Sequence, residues 1–389
     1  MIGKRPQGLR AAASQKKQQL EKQRQEAAAN GIDASEQGNG DVNKGEGDED
    51  ETMLVYTEED NIDQLWGLYE MSREKLEGGD IEGSINLVFG TIHEADRILR
   101  NTEDYSGLPK DFHAAYSMAL LAVSELYEPA KGRLKETNDE ESFIDAALER
   151  AQLGLEASGD QSRLNLAFGR AYLEKVRITL WKQDDQQNPS DQSVIIQIVS
   201  PYIESALQYL RPLLSMEPFD DLTPDSLRPL YVLSSYMFQF GSQFPESSLL
   251  DVHSVIVGLW EKCSAFPDCP LPVRLATKEA VLASHTSFAE YYIDLMDVDE
   301  ENAEKWAKKA SEWLSHSVDA WNALYELDNS AERLLKLADI KMDLAQITEE
   351  EGSQDEYLKA ASTALQDAQK AGVKLNPDYV EFLEACSSA

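Results

Sequence analysis

The stretch from Leu65 to Leu99 most constrains the fold, because it has the pattern of two helices folded back on each other. On its second half, apolar residues recur at steps of three and four: Ile81, Ile85, Val88, Ile92, Ala95 and Leu99. This spacing places them along one face of a helix, and that face needs a neighbour to bury it. Between the halves, Gly78-Gly79-Asp80 supplies glycine to end one helix and a short acidic residue to start the next. The stretch therefore predicts a helical hairpin.

The turn of this hairpin is typical of a tetratricopeptide repeat, in which a small residue such as Ser84 lets the two helices approach closely. Residues 168–173 have the spacing of a first repeat helix, and residues 357–368 have that of a second. Residues 193–266 fit the repeat period of about 34 residues poorly. We therefore predict an all-α, tetratricopeptide-like helical repeat solenoid with irregular middle units.

Helical patterns follow one another along the rest of the chain, separated by Pro, Gly, Asn and Asp. They predict helices over 109–130, 139–157, 162–183, 192–215, 223–241, 246–264, 272–296, 300–324, 330–350, 354–372 and 377–387. Prolines should bend or end helices at positions 201, 212, 218, 224 and 229. No run alternates apolar and polar residues as a strand does.

The charge distribution separates a tail from a helical body. Of the formal net charge of -35, residues 1–30 carry seven Lys/Arg against two acids, whereas residues 31–63 carry one Lys against twelve acids. The polar composition of residues 1–57 predicts a disordered tail, basic over 1–30 and acidic over 31–57, before a helical domain over 58–389. The rest of the chain, with 28 Lys/Arg against 57 acids, would repel a phosphate backbone, which argues against direct nucleic-acid binding.

The basic tail has the spacing of a bipartite nuclear localisation signal. Lys4-Arg5 is followed by Lys16-Lys17 and then by Lys22 and Arg24. In such a signal two basic clusters on an extended chain fill separate acidic pockets of an importin. The alternative is a basic tail that only aids solubility.

The sequence offers no candidates for catalysis, a cofactor or a metal. It lacks the phosphate-loop, dinucleotide, nucleophile-elbow and HExxH motifs, and its five histidines, at 93, 113, 253, 285 and 316, are dispersed. Cys263, Cys269 and Cys386 have no zinc-site or disulfide-framework spacing. Polar residues interrupt the most hydrophobic stretch, Phe112 to Tyr127, so we expect no membrane span.

Two groups of side chains are candidates for partner binding. Arg163, Arg170 and Arg177 recur at seven-residue spacing along one side of a predicted helix, where they would capture carboxylates of a partner peptide. The alternative is that they pair with acids of the same chain, such as Glu174. The tryptophans are either interface anchors or core filling: Trp66, Trp181, Trp260, Trp306, Trp313 and Trp321.

The opening Lys4-Arg5-Pro6 followed by Gly8-Leu9, the acidic linker and the helical body together resemble the fungal enhancer-of-translation-termination family. That family consists of non-enzymatic nuclear adaptors. The resemblance implies binding to a prolyl-hydroxylase-like 2-oxoglutarate oxygenase, help with its nuclear import or its inhibition, and a role in translation termination and hypoxic gene expression. Only the import residues Lys4, Arg5, Lys16 and Lys17 carry over by position.

Two other classes of function remain open. A cytosolic tetratricopeptide-type scaffold or co-chaperone would hold acidic peptide termini in the groove of the solenoid. An undetected helical enzyme would show itself by stoichiometric bound metal and an activity lost on metal removal. The nuclear adaptor is the favoured prediction, with the nucleus, and in part the cytoplasm, as its location.

Overall fold

The computed structural model describes residues 61–102, 107–134, 139–184, 192–216, 223–241, 244–265, 269–348 and 350–388. All regular structure in these ranges is helical, which confirms the all-α prediction. The helices are α1 (Asn61–Glu77), α2 (Ile81–Asn101), α3 (Lys110–Glu125), α4 (Tyr127–Ala130), α5 (Glu140–Gly154), α6 (Ser162–Asp184), α7 (Gln192–Ser215), α8 (Pro224–Gln239), α9 (Glu246–Cys263), α10 (Leu271–Val298), α11 (Ala303–Leu327), α12 (Arg333–Ile347), α13 (Glu351–Lys370) and α14 (Pro377–Ser388). Short 3-10 turns follow α4 and α10, at Lys131–Arg133 and Glu300–Asn302. Helices α1 to α13 belong to one compact unit, whereas α14 belongs to a second.

The α1–α2 hairpin forms as the sequence predicts. Gly79 adopts a φ of 80°, which favours glycine because it has no Cβ. Asp80 caps α2 by accepting a hydrogen bond from the backbone N–H of Gly83 at 2.9 Å. Most of the predicted stripe turns inward, but Ile81, at the first position of α2, is 46% exposed.

Helix α3 is the centre of the first half of the unit. It contacts α1, α2, α5 and α6, and its residues 112–124 are all buried. A helix that is apolar nearly all round needs neighbours on every side. The stretch that the sequence excludes as a membrane span is therefore a core helix, held by the hairpins around it.

Other sequential helices pack as pairs. The most extensive contacts join α1 with α2, α3 with α5, α6 with α7, α10 with α11, and α12 with α13. Helices α8 and α9 connect the halves of the unit, since α8 contacts α6, α9 and α10, and α9 contacts α7 and α10. One hydrophobic core runs through these helices, from Leu65 to Ile347.

Of the predicted bends or ends at prolines, no helix ends at three described positions. Helix α7 continues through Pro201 and Pro212, and α8 continues through Pro229. Pro201 and Pro212 lie on the exposed side of α7, where water can hydrate the carbonyls that lose their partners. The opposite side buries Ile195, Val199, Ile203, Ala206, Leu210 and Leu213, and this burial keeps the helix continuous. Pro224 occupies the first position of α8, where its missing N–H costs nothing, and Pro218 lies outside the described residues.

Candidate functional site

The predicted import residues lie outside the described residues. Lys4, Arg5, Lys16, Lys17, Lys22 and Arg24 all fall within 1–60. Among the described residues, the sequence-predicted binding candidates are the three arginines of α6 and the tryptophans.

Arg170 lies in the core of the helical unit rather than on a binding surface. Its side chain has no exposed area. Its guanidinium donates to Glu125 Oε2 at 2.7 Å, to the Leu121 carbonyl at 3.3 Å and to the Tyr69 hydroxyl at 3.2 Å. In this structure Arg170 therefore joins α6 to α1 and α3, and its guanidinium is not available to a partner peptide.

A second buried arginine converges on the same carboxylate. Arg73 Nη1 of α1 lies 2.6 Å from Glu125 Oε2, and the Arg73 side chain is 5% exposed. Burial alone would raise the pKa of Glu125, but the charges of Arg170 and Arg73 outweigh it and lower that pKa. Burial likewise opposes the charge of Arg73, yet Glu125 outweighs it and raises the arginine's pKa. The three groups form one charged cluster at the carboxyl end of α3, in which both arginine side chains are buried and the Glu125 side chain is 30% exposed.

The other two predicted arginines also have partners within the chain. Arg177 pairs with Glu140 of α5 and, at 2.7 Å, with Glu174 of its own helix. Burial raises the pKa of Glu174 even though Arg177 and Arg170 favour its charged form. Arg163 stacks its guanidinium 4.2 Å from the ring centroid of Trp66. The pairing with Glu174 that the sequence left open is the contact that the structure shows for Arg177.

The fold brings together three histidines that are far apart in the sequence. His253 of α9, His285 of α10 and His316 of α11 lie side by side, with His253 Nε2 3.1 Å from His285 Nδ1 and the rings of His285 and His316 5.7 Å apart. Phe288 and Trp313 pack against His253 at centroid distances of 4.8 and 4.7 Å. Burial lowers the pKa of His253 to about 3 and that of His285 to about 4, so both rings are neutral at pH 7.

Of these histidines, His253 is buried in the core, His285 is half-buried and His316 is exposed. Across the described ranges, no group of three or more His, Cys, Asp or Glu side chains has the geometry to hold a metal ion. The three histidines are so far apart in the sequence that their spacing did not predict this contact.

No helix in the same ranges is long and apolar enough to cross a bilayer.

Most tryptophans are core residues. Trp66, Trp260 and Trp321 are buried, and Trp306 and Trp313 are half-buried. Trp181, near the end of α6, differs because 44% of its surface is exposed. The core-filling alternative therefore describes five of the six, since Trp306 and Trp313 also pack against the buried core.

One groove is of a size to hold a partner side chain. It has a volume of about 420 Å³ and lies where α10, α11 and the beginning of α12 meet. Leu282, Trp321 and Leu324 line its apolar floor, and charged side chains surround its mouth. Arg333 spans that mouth, with its guanidinium 2.9 Å from both Glu279 and Asp328. Sequence reasoning missed this groove, because its walls come from helices whose contact the spacing of residues does not specify.

Comparison with known proteins gives matches along the whole chain. A family model described as "Nuclear pore complex subunit Nro1" matches residues 1–231, and one described as "Negative regulator of ofd1, C-terminal" matches residues 245–386. "Negative regulator of ofd1" of Schizosaccharomyces pombe is 65% identical over 395 residues, covering 100% of both chains. "Enhancer of translation termination 1" of Yarrowia lipolytica is 23% identical over 339 residues, covering 84% of this chain and 86% of its own.

A solved structure is also similar. It is described as "The hypoxic regulator of sterol synthesis Nro1 is a nuclear import adaptor", and it superposes with a TM-score of 0.73 at 65% identity, covering 84% of this chain and 94% of its own. These names describe regulators and an adaptor rather than enzymes. They confirm the family resemblance and the nuclear location expected from the sequence.

Proposed function

This chain belongs to the Nro1 family, and we propose on that premise that it is a non-enzymatic nuclear import adaptor. Its cargo in this proposal is a prolyl-hydroxylase-like 2-oxoglutarate oxygenase, which it carries into the nucleus and restrains there. The observation that carries the proposal is the 65% identity over both full chains to the S. pombe negative regulator of ofd1. The relatives named for translation termination support a second output of the same adaptor.

In this proposal the basic tail and the acidic helical unit have different binding roles. The basic tail binds an importin, and the helical unit holds the cargo. Pairs of helices packed in sequence support a tetratricopeptide-like solenoid as the holding platform, because each pair buries its apolar face against the next. Inhibition of the oxygenase is then steric: the adaptor covers a surface that another partner of the enzyme needs, and the oxygenase supplies its own iron ligands.

Neutralising the basic tail is expected to abolish nuclear accumulation. Replacing Lys4, Arg5, Lys16 and Lys17 together with alanine removes the charges that fill the acidic pockets of an importin. The nuclear-to-cytoplasmic fluorescence ratio of the full chain fused to a large fluorescent tag should fall to that of the tag alone.

The matched control removes the same number of charges from the helical unit. Lys305, Lys308, Lys359 and Lys370 are exposed, and their joint replacement with alanine should leave the nuclear ratio unchanged. Equal nuclear ratios for the tail variant and the wild type would refute the import role of the tail.

Cargo binding is expected to be independent of the tail. The oxygenase should co-purify with the four-alanine tail variant as well as with the wild type, because the helical unit is intact in both. Cells that carry the tail variant should nevertheless lose nuclear oxygenase, measured by fractionation. Stop-codon readthrough and a hypoxic transcription reporter then show which output depends on the nuclear pool. Failure of the oxygenase to co-purify with the wild-type chain would reject it as the cargo.

A further inference from the structure

The floor of the groove between α10, α11 and α12 is already held in place. Trp321 stacks on Tyr325 with ring centroids 4.7 Å apart and planes 16° apart. Its indole N–H donates to the Arg333 carbonyl at 2.9 Å, and the neighbouring Leu324 is 2% exposed. A ligand that enters this groove meets an apolar floor that needs little ordering, which lowers the entropy lost on binding.

The mouth of the groove carries more negative than positive charge. Its acidic side chains are Glu279, Asp328 and Glu332, and its basic ones are Arg333 and Lys336. Glu279 and Asp328 already neutralise Arg333, yet their side chains remain 55% and 36% exposed. The carboxylates therefore have surface left for a second cation.

The contacts of Arg333 show that the carboxylates at the mouth bind a guanidinium group. Its guanidinium lies between a carboxylate of α10 and one of the connection from α11 to α12, at 2.9 Å from each. A partner's arginine beside it meets the same carboxylates, whereas a carboxylate of a partner meets net repulsion. The wider chain favours the same sign, since residues 64–389 carry 28 Lys/Arg against 57 acids.

We propose that this groove docks a short basic segment of a partner protein, with one apolar side chain on the Trp321 floor and a flanking Lys or Arg at the carboxylate mouth. A volume of about 420 Å³ is near the lower end of the range for ligand pockets, about 300–1,000 Å³. It accommodates one or two side chains of an extended or helical segment. This inference rests on the proposed adaptor function and identifies where the adaptor takes hold of a partner.

The test uses the full chain and a fluorescein-labelled peptide with one leucine between two arginines in a Gly/Ser background. Fluorescence anisotropy should show saturable binding by the wild type. Ala283→Phe, which fills the groove from α10, and Glu332→Lys, which reverses a charge at its mouth, should each weaken binding about tenfold or more. Glu332 is exposed and its side chain makes no capping hydrogen bond, so its replacement should leave the fold intact.

The controls separate a specific site from general attraction to an acidic chain. Glu304→Lys, at an exposed position in the first turn of α11, makes the same charge change away from the groove and should leave peptide binding unchanged. A peptide in which glutamates replace the arginines should not bind. Equal weakening by Glu304→Lys, tighter binding of the acidic peptide, or no saturable binding by the wild type would each overturn the proposal.

The same variants distinguish failure of the groove from failure of the adaptor function. If the wild type binds no peptide while the oxygenase still co-purifies with it, the groove proposal fails and the adaptor stands. If the peptide binds as expected while the oxygenase does not co-purify with the wild type, the cargo assignment fails and the groove stands.

Discussion

Replacing Arg170 with leucine is expected to lower the free energy of unfolding by about 1.5–3 kcal/mol, the usual contribution of a hydrogen bond to a charged group, because Glu125 is 30% exposed and keeps Arg73 as a partner. The variant loses the 2.7 Å bond to Glu125 and the bonds to Tyr69 and Leu121. Arg73 alone then neutralises Glu125, and the buried Glu174 loses one of the two arginines that favour its charge. Guanidinium unfolding at pH 7, followed by far-UV circular dichroism, measures the change.

An exposed ion pair provides the control. Arg211 Nη2 lies 2.8 Å from Asp251 Oδ2, but the two side chains are 53% and 56% exposed. Arg211→Leu should therefore change the free energy of unfolding by less than about 1 kcal/mol. Arg170→Lys, which keeps the charge but loses the forked geometry, should fall between the two leucine variants. An Arg170→Leu protein as stable as wild type would mean that the buried cluster contributes nothing net.

His253→Phe is expected to gain about 2 kcal/mol of stability relative to wild type when the pH falls from 7 to 5. Because burial holds the pKa of His253 near 3 in the folded state, the unfolded chain takes up a proton below about pH 6.5 that the folded chain refuses. The free energy of unfolding is therefore highest, as far as His253 is concerned, above about pH 6.5, and it falls as the pH drops toward the folded-state pKa of about 3. Phenylalanine has no proton to take up, so the variant lacks this loss.

Other groups raise the free energy of unfolding as the pH falls, whereas His253 lowers it. The effect of His253 must therefore be measured as a difference between variant and wild type. Burial raises the pKa of Glu77 and that of Asp343 to about 7. These carboxyl groups take up protons in the folded state first, and they stabilise it as the pH falls. Differences in the free energy of urea unfolding between His253→Phe and wild type, measured from pH 5 to 7, remove this common contribution. A difference for His253→Phe that is constant with pH would refute the neutral buried histidine.

Local patterns predicted the helices well. The spacing of apolar residues and the turn at Gly79 and Asp80 gave the α1–α2 hairpin, and the predicted 162–183 and 192–215 agree closely with α6 and α7. These signals succeed because helix periodicity and capping depend on residues within a few positions of one another. Helix α7 continues through Pro201 and Pro212 because burial of one whole face, a tertiary effect, outweighs a local penalty.

The candidate site was much less predictable. Seven-residue spacing correctly placed Arg163, Arg170 and Arg177 on one helix, but it gave no indication that Arg170 points inward. The acidic composition argued only against nucleic-acid binding, whereas the groove over Trp321 depends on how three helices meet.

The sequence by itself determined that the described part of this chain is helical, where its helices lie to within about three residues, and to which family the chain belongs, since each rests on short-range pattern or direct similarity. Tertiary structure alone decided the role of Arg170, whose partners Tyr69, Leu121 and Glu125 lie 101, 49 and 45 residues away along the chain. The physical reason is that helix periodicity is a local property, whereas the partner of a buried charge depends on which faces pack together.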